Sequence, residues 1–148
     1  MLSEPIAGGM RRENSVRLAC NGTMEGMSPE AEIAAILDAG AGAQALLAAS
    51  ELPPGIRTGL WLRCGFWAEA HNVAQDLHTP TGSYWHAILH RAEPDEFNAG
   101  YWFRKIGSHP VLLQMADRWD LNAFTHASPA EREREAQLLL DFCISNFV

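Results

Sequence analysis

The sequence lacks the short motifs that identify common enzyme classes. It has no GxSxG nucleophile elbow, no glycine-rich phosphate loop and no dinucleotide-binding fingerprint. No stretch approaches the run of about 18 apolar residues that a membrane-spanning helix needs. No apolar core of about 7–15 residues follows the N-terminal charges, as a secretory signal would require. We therefore expect a cytoplasmic protein that does not enter membranes.

Basic residues are also scarce. The chain has 11 Lys and Arg against 18 Asp and Glu, which gives a net charge of -7. Its longest basic cluster is the pair Arg11-Arg12. Because binding to phosphate backbones depends on clustered cations that release counterions, we expect no nucleic-acid partner.

Cysteine is too sparse to organise the fold. Cys20, Cys64 and Cys143 are odd in number and widely spaced, and no CxxC pair is present. This pattern predicts neither a disulfide framework nor a structural zinc site, and it favours reduced thiols.

Helix signals dominate what the chain does contain. Ser28-Pro29-Glu30 and Ser128-Pro129-Ala130-Glu131 combine an N-cap serine, a proline at the first helical position and an early glutamate. No segment shows the alternation typical of a strand. We predict an all-α, single-domain irregular bundle of five to seven helices. Residues 1–27 are expected to form a flexible N-terminal arm and residues 28–148 the helical domain.

A long helix is predicted from about residue 58 to residue 77. Its apolar face recurs with the helical period of 3.6 residues and comprises Leu60, Cys64, Trp67, His71, Ala74 and His78. Further helices are predicted from the N-cap Ser83, from the N-cap Asp95 through Ile106 and from His109-Pro110 to about Trp119.

Histidines concentrate between residues 71 and 110, where five of the six occur. His86, His90 and Glu93 follow at i, i+4 and i+7 and so share one stripe of a helix. Two imidazoles at this spacing can bind one divalent metal, with His71 from the preceding helix as a third ligand. We therefore hypothesise that His71, His86 and His90 bind a zinc, nickel or iron ion.

A metal-free site would use the same residues differently. His86 or His90 could act as a general base oriented by Glu93 or Asp76, because imidazole titrates near neutral pH. Arg104 could then bind an anionic small molecule. Tyr101 and Trp102 could line its pocket, although core packing in a central helix is the favoured explanation of these aromatic residues.

A non-catalytic role is the alternative. The chain has five tryptophans, and Trp61-Leu62 places apolar side chains off the main stripe of its helix. Such residues could form a homodimer or interaction surface. The sequence leaves a small-molecule site and an interaction domain as competing hypotheses.

The segment from Thr79 to Pro110 also resembles a family of uncharacterised bacterial proteins. The resemblance covers roughly residues 60–112 and lies in the pieces Thr79-Pro80-Thr81-Gly82-Ser83-Tyr84-Trp85-His86, Tyr101-Trp102-Phe103-Arg104 and His109-Pro110. It implies a cytoplasmic helical domain with no established activity, and it assigns no catalytic residues.

Overall fold

The computed structural model describes residues 26–148, so nearly all of the predicted arm lies outside the described residues. Within this range the chain is helical and forms no strand, as predicted. The described residues form nine α-helices rather than five to seven. They are α1 (Pro29–Asp38), α2 (Ala43–Ala49), α3 (Pro54–Arg63), α4 (Trp67–Gln75), α5 (Pro80–Ala92), α6 (Glu96–Phe103), α7 (Pro110–Met115), α8 (Leu121–Thr125) and α9 (Pro129–Asn146), with one 3₁₀ turn at Gly40–Gly42. No helix within residues 26–148 combines the length and the apolarity that crossing a bilayer requires.

The predicted long helix from residue 58 to residue 77 is wrong. Gly65 adopts the left-handed conformation (φ +87°) and separates α3 from α4. The apolar stripe continues on both sides of this break, so hydrophobic periodicity alone could not detect it.

Helix starts follow local side-chain hydrogen bonds. Ser28, Asp95 and Ser128 cap their helices as predicted, and Ser128 forms a complete capping box with Glu131. The prediction of Ser83 as the N-cap of α5 is wrong. Thr79 caps α5 instead, and its hydroxyl accepts the Gly82 amide at 3.1 Å.

The predicted helix from Pro110 to about Trp119 is also shorter than expected. It ends at Met115, and α8 follows as a separate short helix. Asp120 caps α8 by accepting the amide of Ala123 at 2.9 Å, which gives this turn of helix its own start.

Helix α5 is the central element, because every residue from Thr81 to Leu89 is buried. It packs against α3, α4 and α6. Gly59 of α3 lets Trp85 of α5 and Leu140 of α9 pack directly against its backbone, since a side chain at this position would run into both. The histidine-bearing segment is thus built into the middle of the molecule.

A buried carboxylate joins α5 to the C-terminal helices. Glu135 of α9 is fully buried and accepts hydrogen bonds from Tyr84 (2.6 Å), Trp119 (2.7 Å) and Arg91 (2.8 Å). The Arg91 guanidinium also lies over the Phe124 ring, 4.0 Å from its centroid. Arg91 is therefore buried and paired with Glu135.

Candidate functional site

A cluster of three imidazoles lies between α4, α5 and α6. His71 comes from α4, where its ring stacks on Trp67 with centroids 5.0 Å apart. The Trp67 indole N–H donates to the Leu89 carbonyl at 2.8 Å. This hydrogen bond fastens α4 to α5 and holds the His71 ring toward its neighbour helix.

His86 is the most enclosed member of the cluster, with 3% of its surface exposed. Its ring stacks on Trp102 of α6 at 4.1 Å and nearly parallel (11°). Burial, followed by the nearby His71 and His90, lowers the pKa of His86 to about 4, so the ring is neutral at pH 7. Burial and His90 likewise lower the pKa of His71.

The Nδ1 atom of His86 is buried without a hydrogen-bond partner. Within the described residues, the Trp85 indole nitrogen is the other buried side-chain atom in this position. The Trp85 nitrogen lies near the Cys143 sulfur, and the His86 ring lies near the Gly82 carbonyl as well as against aromatic rings. A buried polar atom without a well-formed hydrogen bond costs about 1–3 kcal/mol, so a bound water or ion at this nitrogen would stabilise the folded protein.

His90 faces two carboxylates. Its Nδ1 lies 3.3 Å from Glu93 Oε2 and 3.8 Å from Asp95 Oδ2. The His90 side chain is 12% exposed, and those of Glu93 and Asp95 are 46% and 34% exposed. The third histidine therefore lies at the boundary between the buried rings and solvent.

The ring separations match those of a histidine metal site, but the ring orientations do not yet converge. The centroids are 5.1 Å apart for His71–His86, 5.2 Å for His71–His90 and 6.0 Å for His86–His90. Three imidazoles on one tetrahedral ion would have centroids about 5.3 Å apart, given metal–nitrogen bonds of about 2.1 Å. The His86 and His90 rings are nearly parallel, at 11°.

A different group of three donors is already close together. Within residues 26–148, the group whose ligand atoms all lie within 4.8 Å of one another is His90, Glu93 and Asp95. The nitrogens of His71, His86 and His90 do not converge in this way in the present ring orientations. Binding of one ion by all three imidazoles would require ring rotation about χ2, a torsion whose wells are broad.

Of the other predicted site residues, Trp102 contacts the cluster directly. Trp102 has His86 on one face and Lys105 over its ring at 5.1 Å, so it supports His86 and leaves little free surface for stacking. Tyr101 is 45% exposed and meets Trp102 edge-on. Arg104 is exposed and folds back over Gly100. Asp76 is exposed at the C-terminal end of α4.

Cys64 is disfavoured as a nucleophile activated by His71. The break at Gly65 places Cys64 at the end of α3 and His71 in a different helix. Burial raises the pKa of the Cys64 thiol, which disfavours the thiolate.

Sequence reasoning missed two contributors to the site. The apolar stripe predicts only a packing role for Trp67, although its indole N–H joins α4 to α5 and its ring stacks on His71. Asp95 was recognised as a helix cap but not as a neighbour of His90. Its position five residues after His90, just past the end of the helix, was the available signal.

No family model, curated protein or solved structure matches this chain. The resemblance of residues 60–112 to a bacterial family therefore stays a prediction. The functional interpretation depends on the geometry of the cluster itself.

Proposed function

We propose that the protein binds a divalent transition metal at His71, His86 and His90 and uses it on a small organic molecule. The observation that carries the proposal is the buried, unpartnered Nδ1 of His86 inside a group of three imidazoles. A metal ion accepts a lone pair from each neutral ring, which would offset the cost of leaving that nitrogen without a partner.

The electrostatic state of the cluster supports this proposal. A metal ligand must be the neutral imidazole, and the lowered pKa values of His71 and His86 favour that form at neutral pH. Nitrogen donors suit zinc, nickel and iron, whereas magnesium and calcium prefer oxygen.

The proposed chemistry follows from an incomplete ligand set. Three protein ligands leave a fourth position for water or a substrate, which is the arrangement of catalytic zinc sites. The ion would polarise a carbonyl or phosphoryl oxygen, or lower the pKa of bound water toward about 7. A hydrolytic reaction on a small molecule is the corresponding reaction class.

Cobalt(II) provides a spectroscopic test. Chelator-treated protein is titrated with Co²⁺, and affinity is measured by calorimetry and by visible absorption. We expect one ion per chain, and we expect His71→Ala, His86→Ala and His90→Ala each to weaken binding by at least about 10-fold, by loss of one ligand. His126→Ala is the matched control, because His126 is exposed at the C-cap of α8 and does not belong to the group of three imidazoles.

Two outcomes of this titration would count against the proposal. One is the absence of any Co²⁺ binding by the wild-type protein. The other is equal affinity of the His86→Ala and His126→Ala proteins.

An interaction surface remains the second proposal, but at a different place from the one predicted. Trp61 is 5% exposed and belongs to the core, so it cannot form a dimer face. Phe97 is 84% exposed and Tyr101, one turn later on α6, is 45% exposed. Homodimerisation through α6 predicts concentration-dependent sedimentation that Phe97→Ser abolishes. A monomer at all micromolar concentrations would contradict it.

A further inference from the structure

The geometry points to Glu93 and Asp95 as positioning residues that keep the proton of His90 on Nδ1 and leave Nε2 for the metal. This inference rests on the proposed metal site and specifies how one ligand of that site is oriented. Carboxylate–histidine–metal arrangements of this kind fix the tautomer and raise the basicity of the ligand.

The tautomer follows from hydrogen-bonding capacity. An ionised carboxylate only accepts hydrogen bonds, and His90 Nδ1 has a Glu93 oxygen at 3.3 Å and an Asp95 oxygen at 3.8 Å. A lone pair on Nδ1 would face these negative oxygens, which is repulsive. A proton on Nδ1 satisfies the contact, and the neutral ring then carries its lone pair on Nε2.

Asp95 is also committed to the start of α6. Its Oδ1 accepts the Asn98 amide at 3.1 Å, and its Oδ2 accepts the Asn98 side-chain N–H at 2.6 Å. Helix α6 carries Trp102, which stacks on His86. Asp95 therefore faces His90 and also caps α6, the helix whose Trp102 supports His86.

These commitments disfavour the alternative in which His90, Glu93 and Asp95 are themselves the metal ligands. Both oxygens of Asp95 already accept hydrogen bonds from Asn98 that hold the first turn of α6, so an ion at Asp95 would have to share these oxygens with those donors. The two carboxylates are also substantially exposed, and exposed acidic groups close together are common without a metal.

The test uses a double variant that removes both carboxylates while preserving the fold. Glu93→Ala with Asp95→Ser keeps an N-cap, because Ser caps helices about as well as Asp. Glu96→Ala is the control for charge removal, since Glu96 is exposed in the first turn of α6. The nitrogen-15 shifts of His90 report the tautomer in metal-free protein at pH 8, and Co²⁺ titration reports affinity.

We expect Nδ1–H at His90 in the wild type and in Glu96→Ala, and a shift toward Nε2–H in the double variant. Its Co²⁺ affinity should fall by about 10–100-fold, the usual effect of removing such partners. The visible spectrum of its bound Co²⁺ should indicate the same coordination number as in the wild type. An unchanged tautomer in the double variant would overturn the inference, whatever the metal affinity.

The ligand alternative gives a different pattern. If the double variant lost Co²⁺ binding completely while His71→Ala and His86→Ala bound it like wild type, the carboxylates would be ligands and the inference would be overturned. If only the tautomer changed and no protein bound Co²⁺, the positioning role would stand and the proposed function would fail.

Discussion

Removal of the Glu135 carboxylate should strongly destabilise the protein. Glu135→Ala would leave the Arg91 guanidinium buried (6% exposed) without its 2.8 Å carboxylate partner. It would also remove the acceptor of the Tyr84 hydroxyl and of the Trp119 indole N–H. Burial, with the adjacent carboxylate, raises the pKa of Tyr84, so its hydroxyl stays protonated and still needs an acceptor.

The expected loss follows from those orphaned groups. Breaking a buried ion pair costs about 3–5 kcal/mol, and each orphaned buried donor adds to this, with shared relaxation making the sum less than additive. We expect the free energy of unfolding to fall by about 4 kcal/mol or more, a large part of the about 5–15 kcal/mol typical of a domain.

Urea unfolding followed by far-UV circular dichroism at pH 7 measures this loss. The double variant Arg91→Met with Glu135→Leu removes both charges and should be less destabilised than Glu135→Ala alone. A loss below about 1 kcal/mol for Glu135→Ala, the value of an ordinary hydrogen bond, would refute the reasoning.

Two further predictions concern pH and the backbone. The pKa of His86 is lowered in the folded state from 6.5 to about 4; its stabilising contribution is therefore complete above pH 6.5 and is lost as the pH falls toward 4. Urea unfolding of metal-free protein should show that the free energy of unfolding falls by up to about 3 kcal/mol between pH 6.5 and pH 4. His86→Gln should flatten this dependence on pH, and an equally steep dependence in that variant would contradict the lowered pKa of His86. Gly82→Ala should prevent stable folding, because the added methyl would meet the Leu77 carbonyl, whereas Gly65→Ala should cost only about 1–2 kcal/mol of left-handed strain. Thermal unfolding compares the stabilities of these two glycine variants. Equal decreases in the unfolding temperature would contradict the close contact between Gly82 and the Leu77 carbonyl.

The features that could be predicted from the sequence were those set by neighbouring residues. The caps at Ser28, Asp95 and Ser128 depend on a side chain and an amide three residues later, so the sequence contains the whole interaction. The approach of His71 to His86 was also expected, because a short turn joins α4 to α5 and reverses the chain.

Features set by distant residues were not predictable in this way. Glu135 and Arg91 are 44 positions apart, and nothing in either local pattern indicates that they meet. The break at Gly65 depends on the conformation of one glycine inside a continuous apolar stripe. The stacking of Trp102 on His86 depends on how α6 lies against α5, which the helical period does not determine.

The position of a bound ion is the most direct test of the proposed site. Crystals of chelator-treated protein soaked in Zn²⁺ would be measured at the zinc absorption edge, and an anomalous difference map would locate the metal. We expect a peak that lies about 2.1 Å from one nitrogen of each of His71, His86 and His90. A peak on the carboxylates of Glu93 and Asp95 instead, or no peak between the three rings, would contradict it.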